Sequence, residues 1–209
     1  HKYGLATNSG SSSLFLAIES LSIPEGSEVI TPALTFATTV GCIVKNNLIP
    51  SFIDSESSSK FIINVDLIEE MITEKTKAMV IPNLMGNMPD WNKIRNIADK
   101  HNLLIIEDSA DLIGVKYDQK LSGEYADITI SSFYGAHMIT CAGNGGIVTT
   151  SNKKYYEKAK LLRSWGRSSS LFNDSETIEN RFNVYVENIR YDAKFIFEEL
   201  GYMLEPSEV

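Results

Sequence analysis

His137 is the residue of this sequence best suited to proton transfer. It lies in a turn-rich stretch, SSFYGAHMITCAGNGG, which follows one apolar segment and leads into another, GGIVTT. The unperturbed pKa of an imidazole lies close to neutrality, so a histidine can accept or release a proton at physiological pH. Ser132 precedes it by five positions and supplies a hydroxyl group. The alternative is a histidine that only fills the loop, and these residues alone leave both interpretations open.

Three carboxylates follow the apolar run LLII. Glu107 and Asp108 come directly after this run, and Asp111 follows three residues later. Four consecutive apolar residues predict a buried strand, and an unpaired carboxylate at its end is costly to bury. We therefore expect Asp108 to face a cation or a ligand. Capping of a helix explains Asp108 equally well and explains Asp111 better.

Small residues and an aromatic ring mark two further candidate positions. Gly10 and Ser11 belong to a small-residue turn before a helix whose apolar side chains recur at helical spacing. Backbone N–H groups at a helix start attract anions, while simple capping by a serine explains the same pattern. Phe36 follows the strand EVITP, at the edge where open α/β sheets bind ligands. A core position is the alternative for Phe36.

Strand and helix patterns alternate along the chain and must position these side chains. The alternation predicts an α/β fold of three layers, α/β/α, with a mostly parallel sheet covered by helices. Parallel strands end at the same edge of a sheet, so we expect the candidate residues to converge there. The predicted strands include EVITP, IPSFIDS, KAMVIP, LLII and GGIVTT, and the predicted helices include LTFATTVGCIVKN, DLIEEMITEK, WNKIRNIADKHN and NKKYYEKAKLLRSWGR.

Composition argues against several classes of function. The chain has 209 residues, of which 43% are hydrophobic, and this is enough for a sizeable core. A net charge of -8 without clustered Lys and Arg argues against a nucleic-acid partner. Cys42 and Cys141 are far apart, which predicts neither a disulfide framework nor a metal site. Without an apolar run of membrane-spanning length or a signal pattern, we expect no membrane partner and a soluble, cytoplasmic protein.

Together these motifs resemble the DegT-type sugar aminotransferases, which use pyridoxal phosphate. The cofactor lysine of that family lies in a segment that reads roughly S-F-H-P-T-K, and His137 stands at the lysine position here. An imidazole cannot form the covalent link that the lysine amine makes. The chain therefore resembles the branch of sugar-nucleotide 3-dehydratases, such as GDP-4-keto-6-deoxymannose 3-dehydratases. In that branch a catalytic histidine acts as general base on pyridoxamine phosphate.

The resemblance also implies which residues bind the phosphate and the face of the cofactor ring. Gly10 and Ser11 match the S-G-S motif that holds the cofactor phosphate, and Ser132 is expected to bind the phosphate with them. Phe36 belongs to TFATT, in which the family uses the aromatic ring to stack on the pyridine ring. All four residues are therefore expected to bind the cofactor.

Two carboxylates complete the set of residues that the resemblance assigns to the cofactor. In the motif E-D-x-A-[QD], Asp108 corresponds to the aspartate that faces the protonated pyridine nitrogen and keeps the ring a good electron acceptor. Asp111 falls where aminotransferases carry glutamine beside the 3-hydroxyl group and where the dehydratases carry aspartate. Asn83 lies in an N-L-x-G-N segment that resembles the dehydratase branch, since many aminotransferases have histidine there.

The resemblance extends over nearly the whole chain and implies its organisation. Residues 1–165 correspond to the fold-type-I large domain that binds the cofactor, and residues 166–209 to a connecting segment toward a C-terminal small domain that is absent. A homodimer with shared active sites is implied, although Met203 replaces an asparagine that reaches the partner's cofactor phosphate. The loop after His137 is one residue longer than in the family. WGRSSS lacks the cysteines of the iron–sulfur dehydratases, so we expect no such cluster.

The implied activity is a dehydration in deoxysugar biosynthesis, for O-antigen or another glycoconjugate. We expect removal of the C3 hydroxyl of a nucleotide-linked 4-keto-6-deoxyhexose, with pyridoxamine phosphate or pyridoxal phosphate as cofactor and glutamate as the candidate amine donor. Two alternatives stay open. One is a sugar aminotransferase relative, and the other is a non-catalytic, truncated homologue that binds the cofactor only.

Overall fold

A central sheet and four helices of nine to eleven residues form the framework of the computed structural model, which describes residues 1–56, 60–174 and 177–208. The strands are β1 (Tyr3–Thr7), β2 (Glu28–Pro32), β3 (Ile49–Ile53), β4 (Thr76–Pro82), β5 (Leu104–Asp108), β6 (Lys116–Tyr117), β7 (Lys120–Leu121), β8 (Ile128–Ser132), β9 (Gly146–Thr150), β10 (Val184–Val186) and β11 (Ile189–Tyr191). The helices are α1 (Gly10–Ser20), α2 (Ala37–Lys45), α3 (Trp91–His101), α4 (Lys153–Arg163) and the single turn α5 (Ile178–Arg181).

Seven strands form the central sheet in the order β1-β9-β8-β5-β4-β2-β3. The five strands from β8 to β3 pair in parallel, whereas β9 runs antiparallel to both of its neighbours. Helices α1, α2 and α4 pack together on one face, and α3 contributes to a separate apolar cluster. This arrangement confirms the predicted mostly parallel sheet with helices.

The pairing register aligns the carboxyl ends of the central strands. Pro82, the last residue of β4, lies opposite Asp108, the last residue of β5. Asp108 in turn lies opposite Ile130 of β8. Loops that leave these strands therefore start side by side at one edge of the sheet, where open α/β folds bind ligands.

Two apolar clusters hold the helices against the sheet. One contains Leu16 and Ile18 of α1 together with Ile106 and Ile128 of the central strands, all nearly inaccessible to solvent. The other is centred on Trp91 of α3, whose side chain is fully buried, with residues of β4 and β5. Burial of apolar surface on this scale is the main contribution to stability, and it anchors the strands from which the loops depart.

The helix predicted for DLIEEMITEK is wrong. The chain forms two separate 3-10 turns there, Val65–Leu67 and Glu69–Met71, and residue 72 is already extended. Ile68 is fully buried, but Met71 is 37% exposed, so the segment lacks a continuous apolar face. A short helix without tertiary packing along its length does not repay the cost of nucleation.

Helix α4 ends at Arg163, earlier than the predicted segment ending in WGR. Trp165 and Gly166 both have positive φ angles, 61° and 78°, and turn the chain away from the helix. A Cβ atom at position 166 would lie 2.0 Å from the carbonyl oxygen of Glu199, so only glycine fits this close approach. The predicted connecting segment, 166–209, begins at this turn. Residues 175, 176 and 209 of that segment lie outside the described residues, and the division at 165 stays a prediction.

None of the helices in the described ranges has the length and apolar character needed to cross a membrane.

Candidate functional site

One cavity of about 500 Å³ opens at the carboxyl edge of the sheet. Residues from the loops after β1, β2, β4, β5 and β8 line it, as the register of the sheet requires. The seven residues predicted from the sequence all contribute to its wall: Gly10, Ser11, Phe36, Asp108, Asp111, Ser132 and His137. The structure therefore brings these residues together, and their individual roles stay predictions.

The start of helix α1 forms the wall nearest to Ser132. Ser9 is the N-cap residue, and its hydroxyl accepts a hydrogen bond from the N–H of Ser12 at 3.1 Å. A Cβ atom at position 10 would lie 2.4 Å from the Cβ of Ser132, so glycine is needed for this contact. Within the described ranges, the N–H groups of Gly10 and Ser11 have no acceptor. Free amides at the positive end of a helix dipole suit an anion.

Phe36 lies at the mouth of the cavity, one residue before α2 begins. Its side chain is 70% exposed, which excludes the core position considered from the sequence. The backbone is extended there, with φ -68° and ψ 140°, and Thr35 anchors the turn by donating a hydrogen bond to Thr39 at 3.1 Å. An exposed ring at the edge of a cavity can pack against a flat ligand.

Asp108 presents its carboxylate to the cavity from the end of β5. Its Oδ1 atom accepts a hydrogen bond from the N–H of Ala110 at 3.1 Å. Burial raises the pKa of Asp108 to about 6; the hydrogen bond from Ala110 opposes this rise, and the nearby charge of Asp111 adds to it. In the described part of the chain, Asp108 forms no ion pair with a lysine, arginine or histidine. A bound cation beside it would restore the ionised form.

His137 is held at the tip of the loop that joins β8 to β9. The loop is closed at its base, where the N–H of Phe133 donates to the carbonyl of Gly145 at 2.8 Å. A turn sets the position of His137, because its N–H donates to the carbonyl of Tyr134 at 2.9 Å. The rings of Tyr134 and His137 meet edge to face, with centroids 5.8 Å apart. The Nδ1 atom of His137 is buried and has no hydrogen-bond partner among the described residues.

Asp111 connects this loop to the loop after β4. Its Oδ2 atom accepts a hydrogen bond from the N–H of Met85 at 3.0 Å, and its Oδ1 atom lies 3.8 Å from Nε2 of His137. Asp111 therefore bonds with the backbone of a neighbouring loop and faces the imidazole. The helix-capping role that the sequence favoured for Asp111 is not observed.

A buried polar network lies behind the cavity and escaped the sequence analysis. Glu107 is fully buried, and its carboxylate accepts hydrogen bonds from Asn83 at 2.6 Å, Ser109 at 2.9 Å and Thr129 at 3.0 Å. The indole N–H of Trp91 donates to Oδ1 of Asn83 at 3.1 Å. These contacts occupy both ends of the Asn83 side chain. The one sequence signal for this network was a glutamate at the end of an apolar strand. Two of the residues that donate to this glutamate, Asn83 and Thr129, come from distant segments of the chain.

Lysine is not among the described residues that line the cavity. In the described ranges, groups of three or more potential metal-ligating side chains are also absent. Both cysteines are free; Cys42 is buried beside α1, and burial raises the pKa of its thiol to about 11. The ionisable side chains in the cavity wall are therefore Asp108, Asp111, Tyr134 and His137.

This chain is similar in sequence to a known protein family and to several known proteins. A family model for the DegT/DnrJ/EryC1/StrS aminotransferase family matches residues 1–190. The lipopolysaccharide biosynthesis protein RfbH of Salmonella typhimurium is 37% identical over 216 residues, which cover 98% of this chain and 49% of that protein. The dTDP-4-dehydro-2,6-dideoxy-D-glucose 3-dehydratase of Saccharopolyspora spinosa is 35% identical over 213 residues, which cover 97% of this chain and 46% of the enzyme.

A solved structure is similar over most of the chain. The crystal structure of NtdA from Bacillus subtilis with bound cofactor PMP superposes with a TM-score of 0.76 and 32% identity, covering 83% of this chain and 39% of that one. The chain spans about half the length of the curated relatives it matches.

Proposed function

The chain belongs to the DegT/DnrJ/EryC1/StrS aminotransferase family, and from this premise we propose that it forms the cofactor-binding part of a pyridoxamine-phosphate-dependent sugar 3-dehydratase. The proposed reaction removes the C3 hydroxyl of a nucleotide-linked 4-keto-6-deoxyhexose during deoxysugar biosynthesis. Support comes from the similarity to a protein named as a sugar 3-dehydratase and to one named for lipopolysaccharide biosynthesis.

The observation that carries the proposal is the identity of the base in the cavity. His137 contributes to the wall, and no lysine does so among the described residues. An aminotransferase of this kind uses a lysine amine to hold the cofactor covalently. An imidazole has no primary amine to form the link that lysine forms, but it can accept and donate protons, which suits a cofactor that is bound without a covalent link.

The residues of the cavity fit pyridoxamine phosphate in charge and shape. The free N–H groups of Gly10 and Ser11 and the hydroxyl of Ser132 would hold the phosphate. The exposed ring of Phe36 would cover one face of the pyridine, and Asp108 would hold the proton of the pyridine nitrogen. When bound, the cofactor supplies an amine that can combine with a ketone and a ring that accepts electrons.

The chain itself contributes proton transfer. His137 would take a proton at carbon, since its imidazole contributes to the wall of the cavity. Asp108 and Asp111 both lie near the ring, so the imidazolium that results would face two carboxylates. A proton accepted there can then be returned to the departing hydroxyl, which leaves as water.

We also propose the partners of the reaction. The substrate would be a nucleotide sugar, glutamate would supply the amine that regenerates the cofactor, and the whole protein would act as a homodimer. Met203 would pack at the subunit interface without contacting phosphate.

A sugar aminotransferase is the second candidate, because the family description names aminotransferases. A homologue that binds the cofactor without catalysis is the third. The three differ in product: the 3-dehydratase would replace the C3 hydroxyl by hydrogen at the expense of the cofactor amine and make the sugar lighter by one oxygen atom, transamination replaces a ketone by an amine, and a binding protein leaves the sugar unchanged.

Mass spectrometry of the reaction mixture tests the proposal. Purified protein is incubated with pyridoxamine phosphate and with GDP-linked or dTDP-linked 4-keto-6-deoxyhexoses, and the nucleotide sugars are analysed. We expect a product lighter by one oxygen atom, because the C3 hydroxyl is replaced by hydrogen while the cofactor amine is consumed, and we expect the matched variant His137→Asn to give none. An aminated sugar instead would establish the aminotransferase, and unchanged sugars with tight cofactor binding would establish the binding protein.

A further inference from the structure

A short turn carries the Asp108 carboxylate at the carboxyl end of β5. The N–H of Ala110 donates to Oδ1 of Asp108 at 3.1 Å and closes this turn. The other oxygen, Oδ2, has no hydrogen-bond partner among the described residues and is not enclosed by protein atoms. Because Asp108 contributes to the cavity wall, Oδ2 is the oxygen that a ligand can reach.

Ser109 forms the middle of this turn, and each of its polar groups is bonded. The residue is only 4% exposed. Its N–H donates to the carbonyl of Ile130 at 2.8 Å, and its carbonyl accepts from the hydroxyl of Ser131 at 3.0 Å. Its hydroxyl donates to Oε1 of Glu107 at 2.9 Å and accepts from the amide of Asn83 at 3.1 Å. Ser109 is therefore fixed by its backbone to β8 and by its side chain to the buried carboxylate.

The hydroxyl of Ser109 links the turn to the buried polar network. Asn83 is 1% exposed and donates to the same Oε1 atom of Glu107 at 2.6 Å, while its own Oδ1 atom accepts from the indole of Trp91 at 3.1 Å. The backbone N–H of Asn83 donates to the carbonyl of Asp108 at 2.9 Å. A buried network whose members are all bonded rigidifies the groups attached to it. A rotation of the turn would therefore break hydrogen bonds on both sides of Asp108.

We propose that Ser109 is a positioning residue, whose hydroxyl fixes the turn so that Ala110 engages Oδ1 of Asp108 and Oδ2 is directed at the bound cofactor. This inference rests on the proposed function, in which Asp108 holds the proton of the pyridine nitrogen. A side chain that orients an acceptor in advance lowers the cost of ordering that acceptor when the ligand binds. Within the described ranges, Ser109 does not contribute to the cavity wall, so its effect on the ligand passes through Asp108.

Amide hydrogen exchange, measured by NMR on the cofactor-free protein, tests the turn directly. Ser109→Ala removes the hydroxyl and keeps the backbone groups. We expect the Ala110 N–H to exchange at least about tenfold faster in this variant, because its turn is held less tightly. The Lys194 N–H is the matched internal control, since it donates to Oδ1 of Asp192 at 3.0 Å across the same spacing, and it should keep its rate. Equal Ala110 rates in the two proteins, or the same acceleration at Lys194, would overturn the inference.

Binding of pyridoxamine phosphate shows whether Ser109 acts through Asp108. Isothermal titration calorimetry gives the affinities of the wild type, Ser109→Ala, Asp108→Asn and the double variant. We expect Ser109→Ala to weaken binding about tenfold when Asp108 is present and to have no further effect in Asp108→Asn, because residues that act through one another are not additive. Additive losses would overturn the inference. Ser20→Ala is the matched control, since it removes another buried hydroxyl, which donates to the carbonyl of Ala17 at 2.8 Å, and it should leave the affinity unchanged.

A second variant and the cofactor-free measurement separate this inference from the proposed function. Should Ser109→Ala not fold, Ser131→Ala removes the hydrogen bond to the Ser109 carbonyl, and an unchanged Ala110 exchange rate in that variant would overturn the inference. A wild-type protein that binds no pyridoxamine phosphate would contradict the proposed function, while the exchange of Ala110 would still decide whether Ser109 holds the turn. Binding by the wild type, with unchanged affinity and exchange in Ser109→Ala, would contradict the inference and leave the proposed function intact.

Discussion

Glu107 and Asp108 are consecutive carboxylates with opposite environments. Glu107 points into the packed interior, where three side chains donate hydrogen bonds to it. Asp108 points into the cavity, where one backbone N–H donates to it and burial raises its pKa to about 6. Successive side chains of a strand alternate between its two faces, so a single step along β5 separates the two. The satisfied carboxylate stabilises the sheet, and the unsatisfied one is available to a ligand.

Burial alone does not mark which of these two carboxylates can bind a ligand. Glu107 is the more deeply buried of the two, yet its hydrogen-bonding capacity is occupied by the protein. Asp108 is less buried but lacks a cationic partner in the described residues. A polar group is a candidate for binding when its surroundings leave it unsatisfied, and the cavity side of β5 meets that condition.

The largest effect on the cavity side is expected from His137→Lys. Dehydration should fall about 10²–10⁴-fold because the general base is lost. Added pyridoxal phosphate should become covalently attached after borohydride reduction, which mass spectrometry would detect on residue 137. Met138→Lys, one position along the loop at a side chain that is 70% exposed, is the matched control and should not be modified. A reducible adduct on an existing lysine of the wild-type chain would contradict the assignment of His137.

Asp108→Asn should have the next largest effect. We expect it to lower activity while the fold is kept. The neutral amide cannot hold the pyridinium proton, so we expect activity to fall about 10²–10³-fold and cofactor affinity to weaken. The hydrogen bond from Ala110 can be kept by the amide oxygen, so the fold should persist. Turnover and cofactor titration measure both effects. Unchanged activity would be fatal to the role of Asp108, and Asp54→Asn serves as control.

Glu107→Gln tests the packed side of the same strand. A glutamine side chain has one acceptor oxygen in place of two, and its NH2 group would face a side chain that donates a hydrogen bond to Glu107 in the wild type. The loss of that hydrogen bond should lower the free energy of unfolding by about 2–3 kcal/mol. Chemical denaturation measures the loss, with exposed Glu74→Gln as the matched control. Full stability of the Glu107 variant would show that the network of Asn83, Ser109 and Thr129 contributes little.

The smallest effect is a pH dependence that distinguishes the two carboxylates. The folded pKa of Asp108, about 6, exceeds the ordinary value of 3.8, so the folded state holds its proton to higher pH than the unfolded state does. The free energy of unfolding of the cofactor-free protein should therefore fall as the pH rises from about 4 to about 6, by about 1–2 kcal/mol after allowance for partial exposure of the carboxyl group. Asp108→Asn should lack this component in urea denaturation across that range. Parallel pH curves for the two proteins would refute it.

Much of the fold was predictable from local patterns. The strands EVITP and GGIVTT and the helix beginning at Trp91 agree with the observed bounds, because apolar periodicity and caps act over a few residues. Together with the similarity to NtdA, the seven-stranded sheet confirms the predicted fold-type-I three-layer architecture. The helix predicted for DLIEEMITEK failed because long-range packing buries only part of that segment.

The sequence by itself determined which chemistry is available: one histidine in a turn-rich loop after an apolar strand, an aspartate at the end of another apolar strand, and small residues before a helix. Tertiary structure alone decided which groups are already satisfied. Glu107 bonds with Asn83 and Thr129, 24 and 22 residues away, and Asp111 faces His137. Such pairings depend on strand register and on loops that meet at the sheet edge. Local propensity cannot encode them, since the partners are brought together only when the core packs.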